Sequence, residues 1–253
     1  MVTLRHAASS HVGLVYEHNE DSYVESHRLL AVADGVGGAA AGEVASALAV
    51  ESLNTLAMSK PVGDPGDALR RAVDEANNNI GAAADENSDY RGMATTVTAL
   101  LFTGTRLDVA HAGDSRAYRL RAGELSRLTK DDSYIQALLD EGALTPEEAA
   151  SHPYRSVVTK VLQGYPTEPS CETWETEVGD RYLACSDGLS DVVSESDIAE
   201  ILGESPLRRA AELLVDKALA AGGPDNVTVV LGEVAETSGL RDRISGAVSS
   251  VFN

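Results

Sequence analysis

Four apolar runs in this chain each meet an aspartate that stands close to a glycine. The four junctions are Ala33-Asp34-Gly35, Gly113-Asp114-Ser115, Ser186-Asp187-Gly188 and Gly223-Pro224-Asp225-Asn226. A single junction of this kind is usually an ordinary turn, because Asp and Gly both suit turns. Four such junctions at strand ends favour a fold in which sheet edges meet and bring several carboxylates into one cleft.

Carboxylates gathered in this way indicate a site for divalent cations. Like charges at close range repel each other and take up protons unless a cation neutralises them. Mg²⁺ and Mn²⁺ prefer oxygen ligands, and a glycine beside an aspartate lets its own carbonyl turn toward the ion. We therefore predict more than one ion. Two ions that share a water or hydroxide lower its pKa, which favours hydrolysis of a phosphate ester without a Ser or Cys nucleophile.

The order of elements predicts an α+β fold with mostly antiparallel sheets, because strands and helices come in separate runs. Predicted strands cover Val2–Ala8, Leu29–Ala33, Thr95–Phe102, Arg106–Ala110, Ala117–Leu120, Tyr182–Ser186 and Asn226–Leu231. Predicted helices cover Glu43–Leu56 and Ala68–Ala84, and others begin at Thr145 and Ser205. The Gly-Asp-Ser turn before Arg116 predicts a hairpin of the strands on either side.

The composition excludes some classes of function. The formal net charge is −20, and nucleic-acid binding needs clustered Lys and Arg, so we predict no nucleic-acid partner. No run approaches the roughly 18 apolar residues of a membrane span, and no signal peptide is apparent. Neither Cys171 nor Cys185 has a metal-binding spacing. We expect free thiols, a reducing compartment and a cytoplasmic chain with no membrane insertion.

Six segments in a fixed order resemble those of the metal-dependent Ser/Thr protein phosphatases, the type 2C or PPM family. They are NEDS (19–22), ADGVGGAAAGEVAS (33–46), GMATT (92–96), HAGDSRAY (111–118), ACSDGLSD (184–191) and GGPDNVTVV (222–230). The segments LTKDDSY, TPEEA and SHPYRS are similar to the catalytic domain of actinobacterial Ser/Thr phosphatases that oppose membrane Ser/Thr kinases. The resemblance implies a four-layer sandwich, with two central antiparallel β-sheets flanked by pairs of α-helices.

The resemblance also assigns catalytic and metal-binding roles at one end of that sandwich. Asp34 would bridge two ions, and the Gly35 carbonyl would bind one of them. Asp187 and Asp225 would complete the ligands of the first ion. These three aspartates would be the catalytic residues, with Mn²⁺ or Mg²⁺ as the cofactor.

Further residues are implied around these ligands. Asp114 would form a third, weaker metal site together with Asp187 and Ser156. Glu20 and Asp21 would hold water molecules on the ions, and Asn226 would support Asp225 from behind. The catalytic domain would span residues 1–236, with a flap at about 131–164 beside the cleft.

This chain departs from the family pattern at one substrate-binding position. The family usually has an arginine there, three residues before Asn19, and this chain has Tyr16. A tyrosine hydroxyl gives one hydrogen bond and no charged fork. We expect the binding of the substrate phosphate to be weaker by about 1–3 kcal/mol, which would appear as a raised KM. His18 is the other residue of this segment that could contact the substrate phosphate.

The sequence leaves three functions of this domain open. An active phosphatase would act on phosphorylated proteins, such as Ser/Thr kinases and their substrates, and we expect a monomer. A degenerate domain would bind phosphoproteins or kinases without useful turnover, and a small-molecule phosphate hydrolase would use the same metals.

In the tail, residues 237–253, apolar residues at helical spacing predict a short amphipathic helix. That helix would pack on the domain or mark a connection to a larger protein.

Overall fold

The fold is built from two antiparallel five-stranded sheets. A computed structural model describes residues 2–36, 41–59, 62–150 and 152–237, with the exception of the Ala150 side chain. The strands are Val2–His11 (β1), Ser22–Glu25 (β2), Leu29–Ala33 (β3), Gly35–Val36 (β4), Ala94–Thr95 (β5), Val97–Phe102 (β6), Arg106–Ala112 (β7), Arg116–Arg121 (β8), Glu124–Arg127 (β9), Ser170–Glu175 (β10), Arg181–Cys185 (β11) and Val227–Glu236 (β12). The first sheet has the order β1-β12-β11-β8-β9, the second has the order β10-β7-β6-β3-β2, and β4 pairs with β5.

Two of the described helices cover the outer face of each sheet. The helices of the described ranges are Gly42–Met58 (α1), Pro65–Glu86 (α2), Tyr134–Asp140 (α3), Pro146–Ala150 (α4), Asp187–Ser190 (α5), Glu195–Glu204 (α6) and Leu207–Ala220 (α7), and Ser88–Tyr90 form a 3₁₀ turn. Helices α1 and α2 pack on the second sheet, and α6 and α7 pack on the first. The predicted four-layer sandwich is therefore confirmed.

Strand β3 shows how the apolar pattern produces these layers. Its five residues are fully buried. Leu29, Ala31 and Ala33 belong to the core beneath α1 and α2, whereas Leu30 and Val32 belong to the core between the two sheets. Because side chains alternate along a strand, only a run that is apolar throughout can fill both cores. The buried strand therefore fixes the position of its last residue, Ala33, and of Asp34, which follows it.

The predicted hairpin around Gly113 is wrong. Strand β7 lies in the second sheet and β8 lies in the first, so the turn crosses between the sheets. Gly113 has a φ of 121°, and a Cβ on it would lie 2.6 Å from the Thr96 side chain. The Ser115 and Thr96 hydroxyls are 2.6 Å apart. These contacts hold the turn over β6 and direct the chain out of the second sheet.

Helices α3 and α4 lie in the predicted flap segment. Its first stem is bonded to the turn after β7, since Asp132 N donates to Gly113 O at 2.6 Å. Its second stem is bonded to β5, where Leu162 N donates to Thr95 O at 2.8 Å and Thr95 N donates to Leu162 O at 3.0 Å. Both stems are thus attached beside the junctions that carry aspartates.

Other expectations concern cysteines, membranes and the tail. Cys171 is exposed, Cys185 is buried, and both are free. Within the described ranges, none of the helices is long and apolar enough to cross a membrane. Apart from Thr237, the predicted tail helix lies outside the described residues.

Candidate metal centre

Asp34 is positioned by the backbone at the end of β3. Its N–H donates to Thr96 Oγ1 at 3.1 Å. Its carbonyl accepts from Thr96 N at 2.8 Å and from Thr95 Oγ1 at 2.9 Å. Both main-chain groups are therefore satisfied by neighbouring threonines, and the carboxylate is left to line a cavity of about 190 Å³.

Gly35 follows Asp34 because two backbones meet there. A Cβ on Gly35 would lie 2.5 Å from the carbonyl carbon and oxygen of Gly42, the first residue of α1, and 2.8 Å from Glu20 O. Its φ lies outside the left-handed region. The glycine is thus required for the close approach of α1, and the role of its carbonyl as a metal ligand stays a prediction.

The other three junctions reach the same cavity from different parts of the fold. Asp114 follows β7, Asp187 begins α5 directly after β11, and Asp225 precedes β12. Of the predicted site residues, those that line the cavity are Tyr16, Glu20, Asp34, Gly35, Asp114, Ser156, Asp187, Asp225 and Asn226. Asp21 and His18 do not line it.

The carboxylates strongly perturb one another. Burial raises the pKa of Asp34 and of Asp187 well above the ordinary value, and repulsion from the neighbouring aspartates adds to it. Burial also raises the pKa of Asp114 to about 6. Within the described part of the chain, neither Lys nor Arg lines the cavity. Arg116 of the adjoining groove lowers the pKa of Asp114, but it does not line the cavity in which the four aspartates meet.

Asp21 lies behind the cavity. Its Oδ2 accepts a hydrogen bond from Ser186 Oγ at 2.8 Å, while its Oδ1 is buried without a partner. Burial raises its pKa to about 6, against the hydrogen bond from Ser186, and its charge raises the pKa of Asp34. An orphaned buried carboxylate oxygen is costly in a protein, so it indicates an unfilled partner such as water or an ion.

Asn226 connects the N-terminal segment to the site. Its Oδ1 accepts from Glu20 N at 2.7 Å, and its Nδ2 donates to Val12 O at 2.8 Å and to His18 O at 3.0 Å. Its backbone N–H donates to Asp225 Oδ1 at 2.7 Å. One side chain thereby fixes the loop that carries Glu20, and the same residue fixes a predicted ligand.

Tyr16 and His18 differ in their relation to the site. Tyr16 lies at the cavity mouth with 55% of its surface exposed. The negative charge of Asp225 is the main cause that raises the pKa of its hydroxyl, followed by burial. His18 is exposed, and its carbonyl is the group that Asn226 binds. Of the two, only Tyr16 lines the cavity, and its role toward a substrate phosphate stays a prediction.

A larger groove continues from the cavity, and it contains charged residues that the sequence analysis did not assign. The groove has a volume of about 570 Å³ and includes Asp131, Asp191 and Arg155. Asp131 accepts from Arg116 Nη2 at 2.8 Å and is also paired with Arg127. Asp191 follows Asp187 at helical i, i+4 spacing, which places the two on one face. This spacing is the feature of the sequence from which Asp191 could have been predicted as a site residue.

The donors present fit hard cations. They are carboxylates, a hydroxyl and carbonyls, the ligands of Mg²⁺ and Mn²⁺. Among the residues that the structure describes, however, no three His, Cys, Asp or Glu side chains form a ready-made metal cluster. Uncompensated carboxylates repel each other. Ions held here would therefore take carbonyl and water ligands in addition to carboxylates.

We expect the rise in Tm caused by Mn²⁺ to grow between pH 5 and pH 7. Folding raises the pKa of Asp21 and of Asp114 from 3.8 to about 6. The stability linked to each group is fully present below the unfolded pKa and is lost as the pH rises through the folded one, by on the order of 3 kcal/mol for an independent group. A cation removes this loss, and at low pH it must displace protons. Differential scanning fluorimetry in EDTA and in excess Mn²⁺ measures the difference. A Tm difference that is constant over this range would contradict the prediction.

Comparison with known proteins agrees with this geometry. Residues 16–221 match the family described as Protein phosphatase 2C. The serine/threonine protein phosphatase PstP of Mycobacterium tuberculosis is 50% identical over 235 residues, which are 93% of this chain and 46% of that protein. The serine/threonine phosphatase stp of Listeria monocytogenes is 34% identical over 243 residues, which are 91% of this chain and 96% of that protein.

A solved structure extends the comparison to the fold. The catalytic domain of PstP in complex with 2 manganese ions has a TM-score of 0.88 and 48% identity, and the match covers 93% of this chain and 100% of that chain. This chain spans about half the length of full PstP. Since the family match covers most of the chain, and a relative of comparable length is 34% identical, the chain belongs to the protein phosphatase 2C family.

Proposed function

We propose that this domain hydrolyses phosphoserine and phosphothreonine in proteins at a centre of two Mn²⁺ or Mg²⁺ ions, with a third ion at a weaker site. The observation that carries the proposal is the cavity in which Asp34, Asp114, Asp187 and Asp225 meet without a Lys or Arg among its described lining residues. The manganese in the PstP catalytic domain supports it.

The residues of this chain would divide the work as follows. Asp34, Asp187, Asp225 and the Gly35 carbonyl would hold the two ions, with Glu20 and Asp21 on their water ligands. Asp114 and Ser156 would contribute to the third site. When bound, the ions lower the pKa of a shared water or hydroxide and neutralise phosphate oxygens. Neither His nor Cys occurs among the described lining residues, and the proposed nucleophile is the water or hydroxide that the ions would hold.

The partners and setting of the whole protein are part of the same proposal. Phosphorylated proteins, including Ser/Thr kinases and their substrates, would be the partners of a phosphatase of this class. We propose a monomeric catalytic domain over residues 1–236 that works in the cytoplasm. The flap would be residues 131–164, whose stems are bonded beside Asp114 and Asp34.

Tyr16 supports a second candidate, a domain that binds phosphoproteins with little turnover. The tyrosine stands at the mouth of the cavity among Asp225, Asp187, Glu20 and Asp34, all of which raise the pKa of its hydroxyl. A neutral hydroxyl gives a phosphate dianion less stabilisation than a guanidinium. A domain of this second kind would keep the metal ligands but bind the substrate phosphate more weakly.

We expect phosphate release from a phosphothreonine peptide to require Mn²⁺, to stop in EDTA and to return when Mn²⁺ is restored. The reason is that the clustered aspartates need a cation and neither Lys nor Arg is among the described residues that line their cavity. A malachite green assay measures the phosphate, and the Tm shift on adding Mn²⁺ shows independently that the protein is folded and loaded. Release that persists in EDTA would contradict the metal mechanism. No release from loaded protein would favour the binding domain.

A further inference from the structure

The groove that continues from the metal centre has an apolar end. Near the cavity it is lined by residues of the candidate centre, such as Asp114, Asp187 and Asp225. The flap helices and the segment after α5 also line it, with the apolar residues Ile135, Leu139, Pro146, Ala149 and Val192 beside the polar residues Ser133, Gln136, Arg155 and Asp191. One groove of about 570 Å³ therefore joins a cluster of acids to a part that carries five apolar side chains, which we call the apolar compartment.

The helices that form this compartment are held by their own caps. Ser133 Oγ accepts from Gln136 N at 3.1 Å at the start of α3. At the start of α4, Glu148 Oε2 accepts from Thr145 N at 2.9 Å and Thr145 Oγ1 accepts from Glu148 N at 3.3 Å, which is a capping box. The apolar side chains of these short helices thus have a defined position in front of the groove.

Of the described residues that line the groove, three are arginines, and two of these are paired with an acid. Asp131 binds Arg116 through both of its carboxylate oxygens at 2.8–3.2 Å, and it also pairs with Arg127. The third, Arg155, is exposed. The apolar side chains of the compartment gain from being covered by an apolar group of a ligand.

We propose that this end of the groove is a subsite for an aliphatic or aromatic side chain that flanks the phosphorylated residue of a protein substrate. The inference rests on the proposed function, because the occupant enters through the groove that leads to the metal centre. The argument for this occupant is continuity. An extended peptide advances about 3.3 Å per residue, so a residue bound at the acids places its neighbours along the same groove. The subsite selects phosphopeptides with an apolar neighbour.

The test compares phosphothreonine peptides that differ at one position, with leucine walked through each place near the phosphothreonine and serine as the reference. We expect one position at which leucine raises kcat/KM about 10-fold over serine, mainly through KM, as a matched apolar contact does. Equal kcat/KM for leucine and serine at every position would overturn the proposal.

Two variants and a matched control assign the effect to the compartment. Leu139→Asn should remove most of the leucine preference, and Ala149→Leu should reduce it by filling the space. Leu138 is also half-buried on α3 and is not among the groove-lining residues. Leu138→Asn should keep the preference, and an equal loss in Leu138→Asn would overturn the assignment.

Failure of the subsite can be told apart from failure of the proposed function. If no peptide is hydrolysed, fluorescence anisotropy of the labelled peptides still measures the leucine-to-serine ratio of affinities, and a ratio near one overturns the subsite. If the serine peptide is hydrolysed without any leucine preference, only the subsite fails. A dimer in solution whose activity falls with protein concentration would assign the groove to a second copy of the chain, which would also overturn the proposal.

Discussion

Replacement of Asp187 by asparagine should reduce Mn²⁺-dependent phosphate release at least about 100-fold and should stabilise the metal-free protein. Loss of a group that merely orients a metal ligand commonly costs 10- to 100-fold, so loss of a ligand itself should cost more. Burial and repulsion from Asp114, Asp191 and Asp225 raise the pKa of Asp187. Asparagine has nearly the same shape and no charge, so it relieves that repulsion.

The variant is expected to lose activity and to gain stability without metal, so the experiment distinguishes a metal ligand from a residue needed for folding. Activity is measured in excess Mn²⁺, and Tm is measured in EDTA and in Mn²⁺. Asp216→Asn on the exposed face of α7 is the matched control, and it should leave both quantities unchanged. If Asp187→Asn retains activity within tenfold of the parent, Asp187 does not hold an ion that the reaction needs. A general loss of Tm in EDTA would indicate a structural role for the carboxylate instead.

Gly35→Ala should destabilise the fold by about 3 kcal/mol or more, which is the upper part of the range for overpacking. The new Cβ would lie 2.5 Å from the Gly42 carbonyl and 2.8 Å from Glu20 O. Both neighbours are backbone and cannot rotate away. Since Gly35 N donates to Glu20 O at 3.2 Å, separation of α1 from β4 would also displace the loop that carries Glu20. We expect metal affinity to fall together with stability.

A second glycine provides the control for this prediction. Gly203 lies in α6, its φ is outside the left-handed region, and the nearest atom to an added Cβ is Leu120 Cδ2 at 3.9 Å. Gly203→Ala should therefore stabilise the protein by about 0.5–1 kcal/mol, because alanine is the better helix residue. Urea denaturation measures both variants. A midpoint for Gly35→Ala equal to that of the parent would show that α1 can yield at no cost.

The sequence predicted the site best where a single pattern indicates both a secondary-structure element and the position of a functional group on it. An apolar run that ends in Asp predicts a buried strand and a carboxylate at its end. The structure brings the four predicted aspartates to one cavity. The reason given for Gly35 was incomplete, since the approach of Gly42 depends on where α1 packs, and no local pattern reports that.

Other features depended on contacts that spacing cannot show. A Gly-Asp-Ser turn suits a hairpin, and only the contacts of Gly113 and Ser115 with Thr96 show that the chain changes sheets. The pairing of Asp131 with Arg116 joins residues 15 positions apart on different elements. Asp191 was visible at helical spacing from Asp187, but short α5 was not predicted as a helix.

The link that Asn226 makes to Glu20 has a consequence for the synthesis of this protein. The two residues are 206 positions apart, and β12 pairs with β1 over its whole length. Contacts of such long range form late, because a long loop must close first. A chain emerging from the ribosome cannot complete the acidic cavity until its last strand has been made and has reached the first.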